Sequence, residues 1–171
     1  MSRSSTATVR RKPVGDVSAA TPAGFVIHGE SISVASTDRI QLVDVTDRIM
    51  ELVHGLNIRE GMISIWSMHT TCAVLINESQ PALRADMTRF LEELVAKDEA
   101  WLHNDPAHSD CSRQNADSHL RAMLLGHSLA VQVSGGEPVL GQWQRILVAE
   151  LDGPRERQLR VQVWGIAQDV R

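Results

Sequence analysis

The chain has 171 residues, 43% of them hydrophobic, and a formal net charge of −4 at pH 7. This length and composition favour one domain with its own core, while the acidic balance argues against a nucleic-acid partner and leaves room for a small anionic ligand. No apolar run approaches the ~20 residues of a transmembrane helix, so we expect no membrane partner.

The first half of the chain predicts a tail, two strands and a helix. Residues 1–24 are rich in Ser, Thr, Ala, Pro and Gly without periodicity, which indicates a disordered or loosely attached segment. From Phe25, the alternation in FVIHGESISVAS and RIQLVDV predicts two half-buried strands. DVTDRIMELVHGLNI then predicts a helix with Thr46 as its N-cap. Its apolar face comprises Ile49, Leu52, Val53 and Leu56.

The second half alternates strands and helices. MISIWSMHTTCAVLINES is dense in β-branched residues and predicts two strands with His69 near their junction. SQPALRADMTRFLEELVA predicts a helix capped by Ser79, with Pro81 in its first turn. HLRAMLLGHS predicts a short helix ending at Gly126, and further strands follow, including one through GQWQRI. This order predicts one α+β domain over residues 25–171, with a mostly antiparallel sheet or sandwich, two main helices and one short helix.

A polar segment, HNDPAHSDCSRQNADSH, runs from His103 to His119 and holds three histidines. Imidazoles and carboxylates are ligands of divalent metals, but their spacing here matches no compact zinc motif. The segment is therefore either part of a metal site or a solvated loop. His69 adds a metal ligand or general base if it faces the same pocket, and is otherwise a histidine hydrogen-bonded at a strand end.

Three other motifs carry polar groups near predicted strand ends. INES places Asn77 and Glu78 where they either start a helix or face a pocket. In GQWQ, Trp143 is either a packed aromatic or a ligand contact, and Gln144 shares the opposite face of the predicted strand with Gln142. AELDGPR contains Asp-Gly-Pro, a sequence that is typical of a turn.

The two cysteines, Cys72 and Cys111, do not suggest a disulfide framework. Reduced thiols are typical of a cytoplasmic protein, which is the location that we expect. Cys72 precedes an apolar run and is expected to be structural. Cys111 lies in the polar segment and is the better candidate for a reactive thiol or a metal ligand.

Several motifs together resemble the YjbQ-like family, whose members are often described as secondary thiamine-phosphate synthases. The motifs are HTTCAVLINES, HNDP, NADSHLRAMLLG, SLAVQVSGGEPVLGQWQRI and AELDGPR, and the similarity extends from about Phe25 to Gly165. The resemblance implies a YjbQ-like α+β fold assembled as a compact homotrimer, with pockets at or near subunit boundaries. It also implies a divalent metal ion, zinc or magnesium, for which we predict the ligands His69, His103 and His119.

From the same resemblance we predict His69, Glu78 and His119 as catalytic residues. The predicted substrate-binding residues are Thr70, Thr71, Asn77, Asn104, Trp143 and Gln144. Gln142 replaces a threonine of the family signature, and His108 and Cys111 have no firm counterpart in the family.

The activity attached to the family joins a hydroxymethylpyrimidine pyrophosphate to a thiazole phosphate. Because pyrophosphate leaves, a cation has to neutralise its charge, and the resemblance therefore predicts a metal-assisted transferase, with this reaction as its main or a side activity. Two alternatives stay open. One is a zinc-dependent hydrolase of a small phosphorylated or amide substrate, in which Glu78 moves the proton. The other is a non-catalytic trimer that binds a metal or a metabolite.

Overall fold

The computed structural model describes residues 17–20 and 24–167, which form nine strands, three α-helices and a 3₁₀ turn. The strands are β1 (Val17–Ala20), β2 (Phe25–Ala35), β3 (Gln41–Asp44), β4 (Ile58–Ser67), β5 (Cys72–Asn77), β6 (Ser128–Ser134), β7 (Glu137–Pro138), β8 (Arg145–Glu150) and β9 (Glu156–Ala167). The helices are α1 (Thr46–Leu56), α2 (Pro81–Leu94) and α3 (Ala116–Leu125), and the 3₁₀ turn spans Leu102–Asn104.

Two antiparallel sheets and the helices stack in layers, which confirms the predicted α+β class. The larger sheet has the strand order β1-β2-β9-β4-β6-β7, and the smaller sheet has the order β3-β8-β5. Every strand pair described is antiparallel. The small sheet lies between the large sheet with α1 on one side and helices α2 and α3 on the other.

The small sheet is buried on both of its faces. Val74 and Val148 pack toward the large sheet and α1, whereas the neighbouring Ala73 and Ala149 pack toward α2 and α3. When both faces of a strand are covered, its residues do not have to alternate between apolar and polar. This arrangement explains the continuous apolar runs CAVLI and ILVA, and it fixes the ends of β5 and β8 as the places where polar residues emerge.

The helix starts differ in detail from the sequence prediction. Thr46 is the first residue of α1 and not its N-cap, and its N–H and hydroxyl donate to Oδ1 of Asp44 at 3.0 and 2.6 Å. Gln80, and not Ser79, caps α2, since its side-chain oxygen accepts a hydrogen bond of 2.7 Å from the N–H of Leu83. Pro81 occupies the first turn, as predicted.

The predicted tail contains one strand. Residues Val17–Ala20 pair with β2 from Val17 opposite Gly29 to Ala20 opposite Val26. Strand pairing uses backbone groups, so it does not require the apolar alternation that this segment lacks. The rest of the predicted tail before Gly24, and residues 168–171 of the predicted domain, lie outside the described residues. No helix in the described ranges is long and apolar enough to cross a membrane.

Candidate functional site

A cavity of about 500 Å³ opens at one end of the small sheet. Cys72 at the start of β5 pairs with Glu150 at the end of β8, so the segments 68–71 and 151–157 lie side by side at this end. Helix α3 packs against β5 and brings the polar segment that precedes it to the same place. The wall of the cavity includes three histidines and three arginines, which are His69, His103, His119, Arg113, Arg155 and Arg157.

His69 is held in one orientation by the neighbouring strand. Its Nε2 accepts a hydrogen bond of 2.8 Å from the backbone N–H of Gln158 in β9. An acceptor nitrogen carries no proton, so the neutral ring has its proton on Nδ1. Burial, and then the positive charge of Arg157, lower the pKa of His69, against the opposing effect of Glu150. A neutral His69 therefore has one N–H group available as a donor.

The imidazoles of His103 and His119 form a pair on the wall of the cavity. Their ring centroids are 5.0 Å apart, and the planes are inclined at 79° in an edge-to-face arrangement. Burial and then the neighbouring His103 lower the pKa of His119, whereas Asp152 and Asp117 raise it. Nε2 of His103 is buried, and no partner for it lies among the described residues.

Arg157 is the deepest of the three cavity arginines, with 5% of its surface exposed. Its Nε donates to Oε2 of Glu150 at 2.6 Å and a terminal nitrogen donates to Oε1 at 2.5 Å, which makes a bidentate pair. The same terminal nitrogen donates to the hydroxyl of Thr71 at 3.0 Å. Glu150 also accepts the N–H groups of Leu151 and Asp152, so the buried carboxylate is fully paired.

Asp152 organises the opposite part of the wall. Its carboxylate accepts hydrogen bonds from Nδ2 of Asn115 at 2.9 Å and from the guanidinium groups of Arg155 at 3.1 Å and Arg113 at 3.4 Å. Arg39 reaches the same carboxylate at 3.4 Å from outside the wall. Asp152 thus fixes the direction of several cationic groups that belong to three separate segments.

The wall of the cavity carries a local excess of positive charge. The wall carries three guanidinium groups and one carboxylate, that of Asp152. The net charge of these groups stays positive when the carboxylate of Glu150, which pairs with Arg157 behind the wall, is counted as well. The whole chain, in contrast, has a net charge of −4. Such a concentration of cationic donors in a concave site favours a ligand with an anionic group.

The predicted site residues fall into two groups at opposite ends of the small sheet. His69, Thr70, Thr71, His103 and His119 line the cavity. Asn77 and Glu78 lie beyond the far end of β5, where Asn77 pairs with Arg145. At ~3.3 Å per residue, the length of β5 places these two residues about 17 Å from the cavity end. In this chain Glu78 is exposed and does not approach the histidines.

Trp143 and Gln144 directly precede Arg145, the first residue of β8. Because Arg145 pairs with Asn77, these two residues lie near Asn77 and Glu78. The predicted strand through GQWQ is wrong, because Gly141–Gln144 form a turn. In this turn the N–H of Gly141 donates to Oε1 of Gln144 at 2.7 Å. The indole of Trp143 is 64% exposed.

Asn104 and the residues of the polar segment have local roles. Oδ1 of Asn104 accepts a hydrogen bond of 3.0 Å from the N–H of Ala116, the first residue of α3. His108 pairs with Asp105 at 3.0 Å on the surface. Cys111 lies on the cavity wall, with its thiol 3.8 Å from Oδ1 of Asn115.

The three predicted metal ligands share a cavity but do not form a metal cluster. Among the described residues, no group of three His, Cys, Asp or Glu side chains is arranged to hold a metal ion. Nε2 of His69 is already the acceptor of the Gln158 N–H. Binding of zinc or magnesium therefore stays a prediction from the resemblance, and we derive no step through a metal.

The sequence prediction gave no functional role to the cavity arginines, although one of them has a clear signal. In β9 the alternate residues Leu159, Val161 and Val163 are fully buried, and Arg157 continues their face. A charged side chain on the apolar face of an alternating strand has to find a partner inside the protein. Glu150, at the end of a strand whose last five residues are buried, is that partner.

The fold and the cavity together define a β-sandwich with a helical layer and a cationic, histidine-lined cavity at one end of its inner sheet. The chain belongs to the YjbQ-like family, whose sequence model, described as "UPF0047 protein YjbQ-like", matches residues 30–166.

Relatives in archaea show the same similarity in sequence and in structure. A UPF0047 protein of Methanothermobacter thermautotrophicus is 39% identical over 139 residues, which cover 81% of this chain and 93% of that protein. A "YbjQ-like protein of unknown function" from Sulfolobus solfataricus superimposes with a TM-score of 0.76 and 32% identity, covering 82% of this chain and 99% of that one. A hypothetical protein from Aeropyrum pernix K1 superimposes with a TM-score of 0.73 and 36% identity, covering 80% and 98%.

These comparisons contradict the predicted thiamine-phosphate synthase activity. The family model and these relatives are described without any activity. The described residues also do not provide the three-ligand metal cluster on which the metal-assisted transferase and the zinc hydrolase depend. Neither these activities nor a metal-binding trimer follows from membership of the family.

Proposed function

We propose that this chain is an enzyme that binds a small molecule through an anionic oxygen group and uses His119 to move a proton to or from it. The observation that carries this proposal is the convergence of three imidazoles and three guanidinium groups on one cavity with a single carboxylate on its wall. Pockets that combine concavity with a few convergent polar groups are typical binding and active sites.

The arginines of the wall have donors left for a ligand. A guanidinium has five N–H donors. Arg113 donates one hydrogen bond to Asp152 and is about half exposed, whereas Arg155 donates two, to the backbone oxygen and the carboxylate of Asp152. Guanidinium groups match the paired oxygens of a carboxylate or phosphate group, so either group fits this end of the cavity.

The imidazoles supply the proton chemistry. A neutral imidazole accepts a proton through one nitrogen and donates through the other, and the lowered pKa of His119 favours this form near neutral pH. His69 contributes an N–H donor on Nδ1, because its Nε2 is occupied by Gln158. His69 thus orients a bound group, and His119 exchanges the proton with it.

The anion site can be tested by titrating the protein with inorganic phosphate and with acetate at low ionic strength, using calorimetry. We expect binding of one of the two anions, and about tenfold weaker binding in Arg113→Gln, since one charge-assisted hydrogen bond is lost. Arg89→Gln, on the exposed face of α2, is the matched control and should bind as the unmodified chain does. Absence of binding, or equal affinity in Arg113→Gln, overturns the anion site.

The enzymatic part can be tested by incubating the chain with a panel of small phosphate- and carboxylate-bearing metabolites and following turnover by NMR. We expect conversion of a panel member that is lost in His119→Gln, while that variant keeps its affinity for the anion within a few-fold. Turnover that is unaffected by His119→Gln, or binding of panel members without conversion, contradicts the role of His119.

Assembly as a homotrimer and a cytoplasmic location complete this proposal. Support for assembly comes from large apolar side chains that are more than half exposed in the single chain, which are Trp66, Phe90, Leu94, Leu102, Met123, Leu124, Val139 and Trp143. Support for the location comes from the free thiols of Cys72 and Cys111. Light scattering after size exclusion should give three times the mass of one chain, and a monomer or dimer overturns the trimer.

A further inference from the structure

One end of the small sheet presents an exposed tryptophan on a braced turn. The N–H of Gly141 donates a hydrogen bond of 2.7 Å to Oε1 of Gln144, and the N–H of Gln144 donates one of 2.9 Å to the carbonyl of Gly141. Trp143 lies between these two residues and is 64% exposed. A large aromatic side chain on a fixed turn loses little conformational freedom when it is buried at an interface.

The opposite end of the same sheet has an apolar cavity that is large enough for one indole ring. This cavity has a volume of about 360 Å³, and its lining residues are Trp101, Leu102, His103, Ala116, His119 and Leu120. Two hydrogen bonds hold its walls, one of 2.9 Å from Nε1 of Trp101 to the carbonyl of Ala96 and one of 3.0 Å from the N–H of Ala116 to Oδ1 of Asn104. Leu102 is 66% exposed. A preformed apolar cavity of this kind is suited to an aromatic side chain.

The two ends of the small sheet also carry opposite charges. Beside Trp143, the guanidinium of Arg145 pairs with Asp44 at 2.9 Å and with Asp47 at 2.7 Å, and Glu78 adds a third carboxylate, so this end is acidic. The apolar cavity adjoins the cationic one, whose wall has an excess of guanidinium groups. Opposite charges on two surfaces favour their association and fix its orientation. The end with Trp143 therefore complements the end with the cavities in both apolar character and charge.

From these observations we infer that Trp143 of one copy inserts into the apolar cavity of the next copy, so that three copies form a closed ring. The inference rests on the trimer proposed above and adds the two surfaces that meet and the residue that crosses between them. A contact between two different ends of one chain is heterologous, and such contacts close into a ring when the rotation between copies allows it. An aromatic side chain buries roughly 150–250 Å², and a few such anchors dominate the energetics of an interface.

The neighbouring copy then contributes to the candidate functional site. The edge-to-face imidazoles of His103 and His119 line both cavities. The indole of Trp143 from the neighbouring copy covers the apolar side of this pair and excludes water from it, whereas the cationic cavity stays open to a ligand. His119 therefore exchanges its proton on the cationic side, and the site is complete only in the assembled protein.

Light scattering after size exclusion tests the contact with two variants that each damage one side of it. Trp143→Ala removes the side chain that inserts, and Leu102→Asp places a carboxylate on the cavity that receives it, opposite the acidic end of the neighbour. We expect each variant alone to have the mass of one chain. An equal mixture should give twice that mass, because the Trp143 of the Leu102→Asp chain still fits the intact cavity of the Trp143→Ala chain. Trp66→Ala removes a tryptophan of the large sheet that is 51% exposed, and this matched control should keep the mass of three chains.

A further variant separates loss of the contact from loss of the fold. Circular dichroism shows whether the single-chain variants are folded. Trp143→Phe keeps an aromatic ring and should still form the trimer, but with dissociation beginning at about tenfold higher protein concentration, because the smaller ring buries less apolar surface. If Trp143→Ala does not fold, this shift decides the question, and dissociation of Trp143→Phe at the same concentration as the unmodified chain overturns the inference.

The possible failures are distinguishable. If the unmodified chain has the mass of three copies and both Trp143→Ala and Leu102→Asp keep it, the trimer stands and the contact through Trp143 is overturned. If the unmodified chain is a monomer or a dimer, the trimer and this inference fail together, while the anion site is unaffected. If both variants are folded single chains and their mixture stays at that mass, the two ends do not meet, and the inference is overturned.

Discussion

The backbone N–H of Gln158 donates a hydrogen bond of 2.8 Å to Nε2 of His69. This relationship fixes the tautomer of the neutral ring, because a nitrogen that accepts a hydrogen bond has to keep its lone pair. Protonation at Nε2 breaks the bond and leaves the Gln158 N–H without an acceptor. His69, for which the resemblance implies a role as metal ligand and catalytic residue, therefore offers the cavity an N–H donor and not a free lone pair while its ring is neutral.

The stability of the chain should fall as the pH drops below 6.5. The pKa values of His69 and His119 lie below their ordinary value of 6.5, with burial as the largest cause for each. The unfolded chain therefore binds these protons more readily than the folded chain. The stability contributed by the neutral rings is fully present above pH 6.5 and is lost as the pH falls from 6.5 through the lowered values.

This dependence can be measured by urea unfolding at pH 7.5, 6.5 and 5.5. In the double variant with His69→Gln and His119→Gln, the decrease in the free energy of unfolding between pH 6.5 and 5.5 should be smaller. An equal decrease in the double variant shows that other groups account for the pH dependence.

Bound phosphate should raise the pKa of His119. The anion lies close to the imidazole in the proposed complex and favours its protonated form. The expected result in an NMR titration of the imidazole signals is a higher pKa of His119 in the presence of phosphate. In Arg113→Gln, which binds the anion less tightly, the same phosphate concentration should give a smaller shift. A pKa of His119 that does not respond to saturating phosphate places the anion elsewhere.

Asp44 should stabilise the start of α1. Although burial raises its pKa, the hydrogen bonds from Thr46 and Arg145 dominate and lower it to about 2. We expect Asp44→Ala to cost about 1–2 kcal/mol at pH 7, as loss of a helix-capping oxygen does. The contribution of the charge is present above the ordinary value of 3.8 and disappears as the pH falls toward 2. Urea unfolding at pH 7 measures the cost, and Asp86→Ala on the surface of α2 is a control that should change little.

Arg121 should be essential for the packing of α3 against α2. It is 2% exposed, pairs with the buried Asp117 at 2.7 Å and donates to the carbonyls of Leu91 and Val95 at 3.0 and 2.6 Å. Removing one partner from a buried ion pair costs about 3–5 kcal/mol, which is the loss expected for Arg121→Met. Thermal or chemical unfolding measures this loss, and unchanged stability in Arg121→Met excludes a structural role for the pair.

Asn104 should act on α3 and not on the ligand. Its Oδ1 accepts the N–H of Ala116. Asn104→Ser keeps a neutral capping oxygen at this position and should preserve stability and anion affinity, whereas Asn104→Ala should lose about 1 kcal/mol. Stability from urea unfolding and affinity from calorimetry separate the two roles. If Asn104→Ser folds normally but loses affinity for phosphate, the predicted contact with substrate is correct.

The sequence identified candidate histidines but left open whether they converge. In the structure His69 and His119 line one cavity, which depends on how α3 packs against the start of β5. Glu78 is separated from His69 by an extended strand, and the length of that strand alone prevents both from reaching one cavity. The prediction of β5 therefore already contained the reason why Glu78 is remote in this chain.

The arginine network could not be predicted from local pattern. Asp152 accepts from Asn115, Arg113 and Arg155, and the first two of these lie in a different segment of the chain. Nothing in the spacing of AELDGPR shows which residues approach it. The layers of the fold were easier to predict from sequence, since the uninterrupted apolar runs of β5 and β8 indicate strands that are buried on both faces.

The hydrogen bond between Asn104 and Ala116 closes residues 105–115 into a loop that is attached at both ends. The entropic cost of such a loop rises slowly, by about 0.6 kcal/mol for each doubling of its length. A change in the length of this loop is therefore expected to be tolerated between Asp105 and Ser112, since Arg113 and Asn115 are held by Asp152. Because Arg113 and Cys111 reach the cavity wall from this loop, while His103 and His119 lie outside it, the loop can alter one side of the cavity without changing the imidazole pair.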